Sequence, residues 1–194
     1  MDKKYAYRVY LRISTIECVM ASVMSTYFLV YLISNISTSE KALINVVGCL
    51  LGVLTTALLR KRTTLSYVRK HYVKIASCTI VLEIIMAITL VYDPFIAGVV
   101  NTMIGSMAWT FLENIDSDIY NRLFKGKART LLDQTFSIYG RLALVMGAGI
   151  VLVIDTFYTV NVYSIAIMSV ITITALVIMD GVNIVVLEKA LRNK

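Results

Sequence analysis

YVKIASCTIVLEIIMAITLVY, residues 72–92, decides the fold. Within it only Lys74, near one end, and Glu83, in the middle, carry charge. At ~1.5 Å per residue, about 20 apolar residues in a helix cross the hydrocarbon of a bilayer. Hydrocarbon offers an unpaired amide no partner, so the backbone must close its own hydrogen bonds as a helix. The stretch therefore predicts a membrane-spanning helix with a carboxyl at its middle.

Working outward, runs of similar length recur at 13–33, 42–59, 95–112, 136–154 and 160–187. Together they predict an all-α polytopic membrane protein, one domain of six transmembrane helices over 1–194. The composition agrees: 58% hydrophobic and 16% charged, with one proline, one histidine and a mean hydropathy of +0.77. Soluble domains carry far more polar surface, and six spans leave little chain for a catalytic domain. The run from Ile13 to Ile33 follows Lys3, Lys4, Arg8 and Arg12. It is too long for a signal-peptide core and has no A-x-A site, so it reads as an uncleaved first span.

The net charge of +7 does not point to nucleic acid, because the basic residues sit in short clusters between apolar runs. Lys and Arg collect before span 1, between spans 2 and 3 (Arg60, Lys61, Arg62, Arg69, Lys70, Lys74), between spans 4 and 5 (Arg122, Lys125, Lys127, Arg129, Arg141) and after span 6 (Lys189, Arg192, Lys194). Of the cations only Lys41 falls in an opposite link. Basic residues in short loops stay in the cytoplasm. Both termini are therefore expected there, in a plasma or inner membrane. The opposite links, near 34–41, 92–94 and 155–159, are short, making spans 1 and 2, 3 and 4, and 5 and 6 antiparallel neighbours.

Small residues recur at helical spacing: Gly98, Asn101, Gly105 and Ala108 in span 4, Ser137, Gly140 and Gly147 in span 5, Gly48 and Gly52 in span 2. Such stripes let helix backbones approach in lipid; the alternative is a substrate path lined by the same residues, Asn101 among them.

Ionisable groups inside a bilayer are costly and are functional candidates by default. Glu83 lies ~16 Å into its span, near the midplane. Ala76, Thr79 and Ala87 share its side, a small, weakly polar surface suited to the bundle interior. It is either a proton-exchanging carboxyl or a neutral acid hydrogen-bonded to the next helix. Glu17, Glu113, Asp116, Asp118 and Asp180 fall toward the cytoplasmic ends of spans, as does Arg141. A buried guanidinium needs a carboxylate. Glu113 or Asp180 is the expected partner, with Asp116 and Asn183 nearby, as a structural ion network or a gate. Met24, Tyr27, Tyr31, Trp109 and Phe111 would suit a lipophilic or cationic compound, or serve as interfacial anchors.

Cys18, Cys49 and Cys78 show neither CxxC nor zinc spacing, so no metal and no cofactor is expected. His71 and Cys78 are seven residues apart, a spacing that resembles the membrane-embedded cysteine endopeptidases that mature quorum-sensing peptides. Two helical turns separate their side chains by ~10 Å, beyond direct hydrogen bonding. GxSG, HExxH and P-loop patterns are missing, and the chain is not expected to be an enzyme.

The layout resembles one six-helix half of a major facilitator superfamily transporter. The similarity lies in the span count, the short outer turns and the two basic inner links. It lies also in Tyr27–Tyr31 with Ile33–Leu43, and in YNRLFKGKARTLLDQTFSIYGR at 120–141. The link LLRKRTTLSYVRK at 58–70 carries the charges without the family's acid. The family transports between two such halves, so the resemblance implies a dimer with itself or another half and a small-molecule substrate. Proton-coupled export with Glu83, Asn101 and Asp180 on the path is the expectation. The alternative is a non-catalytic immunity or accessory protein of the membrane.

Overall fold

The computed structural model describes residues 3–59, 65–105 and 127–192. The chain is all-helical: α1 (Lys3–Asn35), α2 (Thr38–Leu59), α3 (Leu65–Tyr92), α4 (Pro94–Gly105), α5 (Lys127–Phe157) and α6 (Val162–Arg192). Among the described residues, four segments are long and apolar enough to cross a membrane, at Tyr5–Leu32, Lys70–Tyr92, Asp133–Phe157 and Val162–Ala190, and Pro94–Gly105 is a shorter apolar helix. Apolar side chains also cover the outside: Val73, Val81, Ile88, Leu144, Val145, Ile167 and Ile171 are exposed. So much exposed apolar surface suits lipid and not water.

Each short link is a helix start. Ser37 caps α2 in a capping box: its amide and hydroxyl donate to a Glu40 carboxylate oxygen at 2.8 and 2.6 Å, and the Glu40 amide donates to the Ser37 hydroxyl oxygen at 3.3 Å. Asp93 caps α4, accepting from the amides of Phe95 and Ile96, with Pro94 in the first-turn position where no amide is missed. Asn161 caps α6, accepting from the Ser164 amide at 2.9 Å. The first helix begins earlier than position 13, so Arg8 and Arg12 lie on helix, exposed to solvent or headgroups.

The closest packing is not between hairpin partners. Among the described long helices, α1 packs on α5 and α6, and α3 packs on α6. A short link fixes only one end of a helix pair; the rest goes where small residues allow close approach. On α5 that face is Phe136, Gly140, Ala143, Gly147, Val151 and Ile154, all buried or half-buried. Ala143 takes the place expected of Ser137, which is exposed. The Ser22 hydroxyl crosses from α1 to donate to the Leu144 carbonyl at 3.3 Å, and Tyr10 stacks on Phe136 with centroids 6.1 Å apart. These pairs advance together, so α1 and α5 run parallel. Gly48 faces Thr102 and Gly98 faces Ile44, which makes α2 and α4 parallel as well. Met24, Tyr27 and Phe28 of α1 close the core with Met86 and Leu90 of α3, Ala97 and Ile104 of α4, and Ile165 of α6. Met24 and Tyr27 are thus core residues and line no open path.

Candidate functional site

The α3–α6 seam is antiparallel and can be followed residue by residue. At one end Tyr72 donates its hydroxyl hydrogen to the Val177 carbonyl, and its ring lies against Gly181. Midway, Glu83 meets Ser169. Toward the other end Ala87 and Val91 line a shared apolar groove with Tyr163 and Ala166. Tyr72 and Glu83 are eleven residues apart, as are Ser169 and Asp180. Three helical turns return a side chain to nearly the same face. Each helix thus offers two polar groups at matching heights.

Glu83 is 6% exposed and Ser169 4% exposed. The face around Glu83 includes the expected Ala87, with Ala76 and Thr79 half-buried, but also the fully buried Met86 and Leu90. The Ser169 hydroxyl donates to the Ala166 carbonyl at 2.8 Å, as serines in helices commonly do. A hydroxyl has one hydrogen and two acceptor sites. With that hydrogen on Ala166, Ser169 offers Glu83 a lone pair, which suits the acid form of the carboxyl; turned the other way it donates to the carboxylate. One serine therefore serves both protonation states without leaving its place.

At the Tyr72 end, Asp180 of α6 and Glu17 of α1 lie within electrostatic reach of the Tyr72 hydroxyl. Ser14 is buried on α1 and Asn183 on α6, and among the described residues no group bonds to the Asn183 Oδ1. Polar groups so placed extend the seam from Glu83 to one end of the bundle.

The other residues singled out in the sequence fall elsewhere. Asn101 is exposed on α4, whereas Glu83 is buried. Arg141 is exposed on α5, and among the described residues it is not brought to Asp180, which lies toward Tyr72. The expected Arg141–Asp180 pair fails because α5 turns its glycine face to α1, leaving position 141 outside. Glu113 and Asp116, with Trp109 and Phe111, lie outside the described residues. His71 is half-buried and Cys78 exposed on an unbroken α3, so they stay two turns apart. Among the described residues no group of three His, Cys, Asp or Glu side chains could hold a metal ion. Tyr72, Ser169 and Ser14 were not singled out in the sequence; the repeated eleven-residue spacing on spans 3 and 6 is the signal that finds the first two.

No family model matches the chain, and no curated protein and no solved structure matches it.

Proposed function

We propose that this chain is a half-size, major-facilitator-like membrane transporter. It crosses the plasma or inner membrane six times with both termini cytoplasmic, acts as a dimer, and couples transport of a small molecule to protons through Glu83. The observation that carries this reading is a buried carboxyl facing a hydroxyl in the middle of two apolar helices, continued by polar groups to one end of the bundle. A charge-bearing group so deep is costly and is the usual mark of a proton or ion pathway.

Two further features favour the transporter-like arrangement. The parallel pairs α1–α5 and α2–α4, with α3 antiparallel to α6, are what two inverted three-helix units would give. Carrying α1–α3 onto α4–α6 turns the first pair into the second and the third onto itself. The exposed polar residues also fall unevenly. Ser25, Asn45 and Asn101 are exposed on α1, α2 and α4, whereas the exposed side chains of α6 from Tyr163 to Val185 are apolar. A second copy placed on α1, α2 and α4 would cover these residues and leave α6 to lipid.

The test is proton uptake by proteoliposomes holding a pH-sensitive dye, wild type against Glu83→Gln, with folding checked by melting in detergent. Loss of uptake in a folded Glu83→Gln protein supports the reading. Equal uptake in both removes Glu83 from the mechanism and turns attention to an accessory role.

A further inference from the structure

Arg141 stands on the exposed side of α5 at a depth where a guanidinium cannot be left to hydrocarbon. It lies eight residues beyond Asp133, the start of the apolar segment, or ~12 Å along the helix. Exposed Ile138, Leu142, Leu144, Val145 and Met146 surround it. Among the described residues no carboxylate meets it. Asp133 lies about 80° around the helix from it by the 3.6-residue repeat, acting on Tyr7 of α1. Glu17 and Asp180 lie within electrostatic reach of Tyr72 on other helices.

Arg141 is not alone on its face. Thr130, Gln134, Ser137 and Arg141 are all exposed, and their spacing of four, three and four residues keeps them in one stripe. Side chains on a helix lean toward its N-terminus, and a long arginine reaches farther that way to find polar surroundings. The guanidinium is therefore carried toward Ser137 and Gln134, at the end of α5 where headgroups begin. The parallel register with α1 brings the exposed Arg8 and Arg12 to the same level, where with Arg141 they outnumber the exposed Asp133 beside Gln134.

We propose that this α5 face is an anion site for a phosphate group, with Arg141 as its charge-bearing, fork-shaped donor and Ser137 and Gln134 as supporting hydrogen-bond groups. A guanidinium binds phosphate through two parallel N–H groups, and fixed geometry adds to its charge. The phosphate belongs either to an anionic lipid headgroup or to a free ion. The site uses none of the residues assigned to proton coupling and stands whether or not that assignment does.

The experiment uses the purified full chain, wild type and Arg141→Gln, with Arg141→Lys and Ser137→Ala as companions and a melting curve for each. Native mass spectrometry of delipidated protein measures binding of phosphatidylglycerol against phosphatidylcholine. Phosphorus NMR in phosphatidylcholine nanodiscs measures binding of inorganic phosphate. Arg141→Gln is expected to weaken binding about tenfold, the size of one charge-assisted hydrogen bond, with Arg141→Lys between. A loss confined to phosphatidylglycerol assigns the site to lipid, and a loss of inorganic phosphate assigns it to a free anion. Wild type binding neither, or Arg141→Gln binding both as wild type does, overturns the proposal. So does an Arg141→Gln variant whose one defect is loss of the dimer, which would make the partner of Arg141 another chain.

Discussion

The ring of Tyr72 occupies the space that a side chain on Gly181 would need. A Cβ at position 181 would stand 3.1 Å from the Tyr72 Cε1, 3.2 Å from its hydroxyl oxygen and 3.3 Å from Cζ. The same hydroxyl donates to the Val177 carbonyl. It therefore sits at a rung of the α6 ladder, where the residue four positions on would bond to that carbonyl. Insertions of this kind bend helices, and the missing side chain is what admits the ring.

Tyr72→Phe is expected to cost about 0.6 to 1.5 kcal/mol, the range for hydrogen bonds between membrane helices. Gly181→Val should cost more in the wild type than in a Tyr72→Ala background, where the ring is gone. Unfolding in mixed detergent micelles checks both, and equal costs in the two backgrounds would show the contact to be inconsequential.

On the α1–α5 side, a Cβ on Gly147 would come 2.5 Å from both Cβ and Oγ of Ser22 and 3.1 Å from the Val19 carbonyl oxygen. Two of those atoms belong to short or rigid groups that cannot swing aside. Gly147→Leu should therefore push α1 from α5 and destabilise the protein by about 1–3 kcal/mol. Ser22→Gly should recover part of the loss from Gly147→Ala, measured by the same unfolding assay.

Glu83 lies against Ser169 in a closed interior, and Ser169 is the polar side chain that acts on its carboxyl. Ser169→Ala alone is expected to cost roughly 1–2 kcal/mol, because it leaves a buried carboxyl short of a partner. Glu83→Leu in the Ser169→Ala background should return much of that stability, since neither polar group then remains to be satisfied. A double variant no more stable than Ser169→Ala would show that the pair is not what holds α3 to α6 there.

Outside the membrane, the hydroxyl and amide of Ser37 hold the Glu40 carboxyl below its usual acidity range by stabilising the carboxylate. A carboxyl whose folded value is depressed contributes stability above the unfolded value and loses it as the pH falls through the folded one. The start of α2 should therefore loosen on acidification, below the ordinary glutamate range. A carbon-13 titration of Glu40 should move upward in Ser37→Ala; an unchanged midpoint would mean the capping box does not set it.

Much of this was legible along the chain. The residues 72–92 predict a helix with a carboxyl at its middle, and the structure puts Glu83 inside on such a helix. The short turns at 36–37, 93 and 158–161 follow from Ser37, Asp93 and Asn161, which suit helix starts. Other features were not legible. Ser137 was expected on the packed face of α5 and is outside, and Arg141, expected to pair with Glu113 or Asp180, is exposed, with Asp180 within electrostatic reach of Tyr72.

The sequence by itself determined that the chain forms apolar helices of membrane length and that Glu83 falls at the middle of one. Hydrocarbon enforces both rules residue by residue: length for crossing, and internal hydrogen bonds for the backbone. Only the tertiary structure decided which helices touch, that Ser169 is the group across from Glu83, and that Arg141 faces outward. In water, hydrophobic periodicity would have marked the buried face of each helix. In lipid both faces are apolar, and close fit at Gly147, Gly181 and their neighbours decides what lies inside.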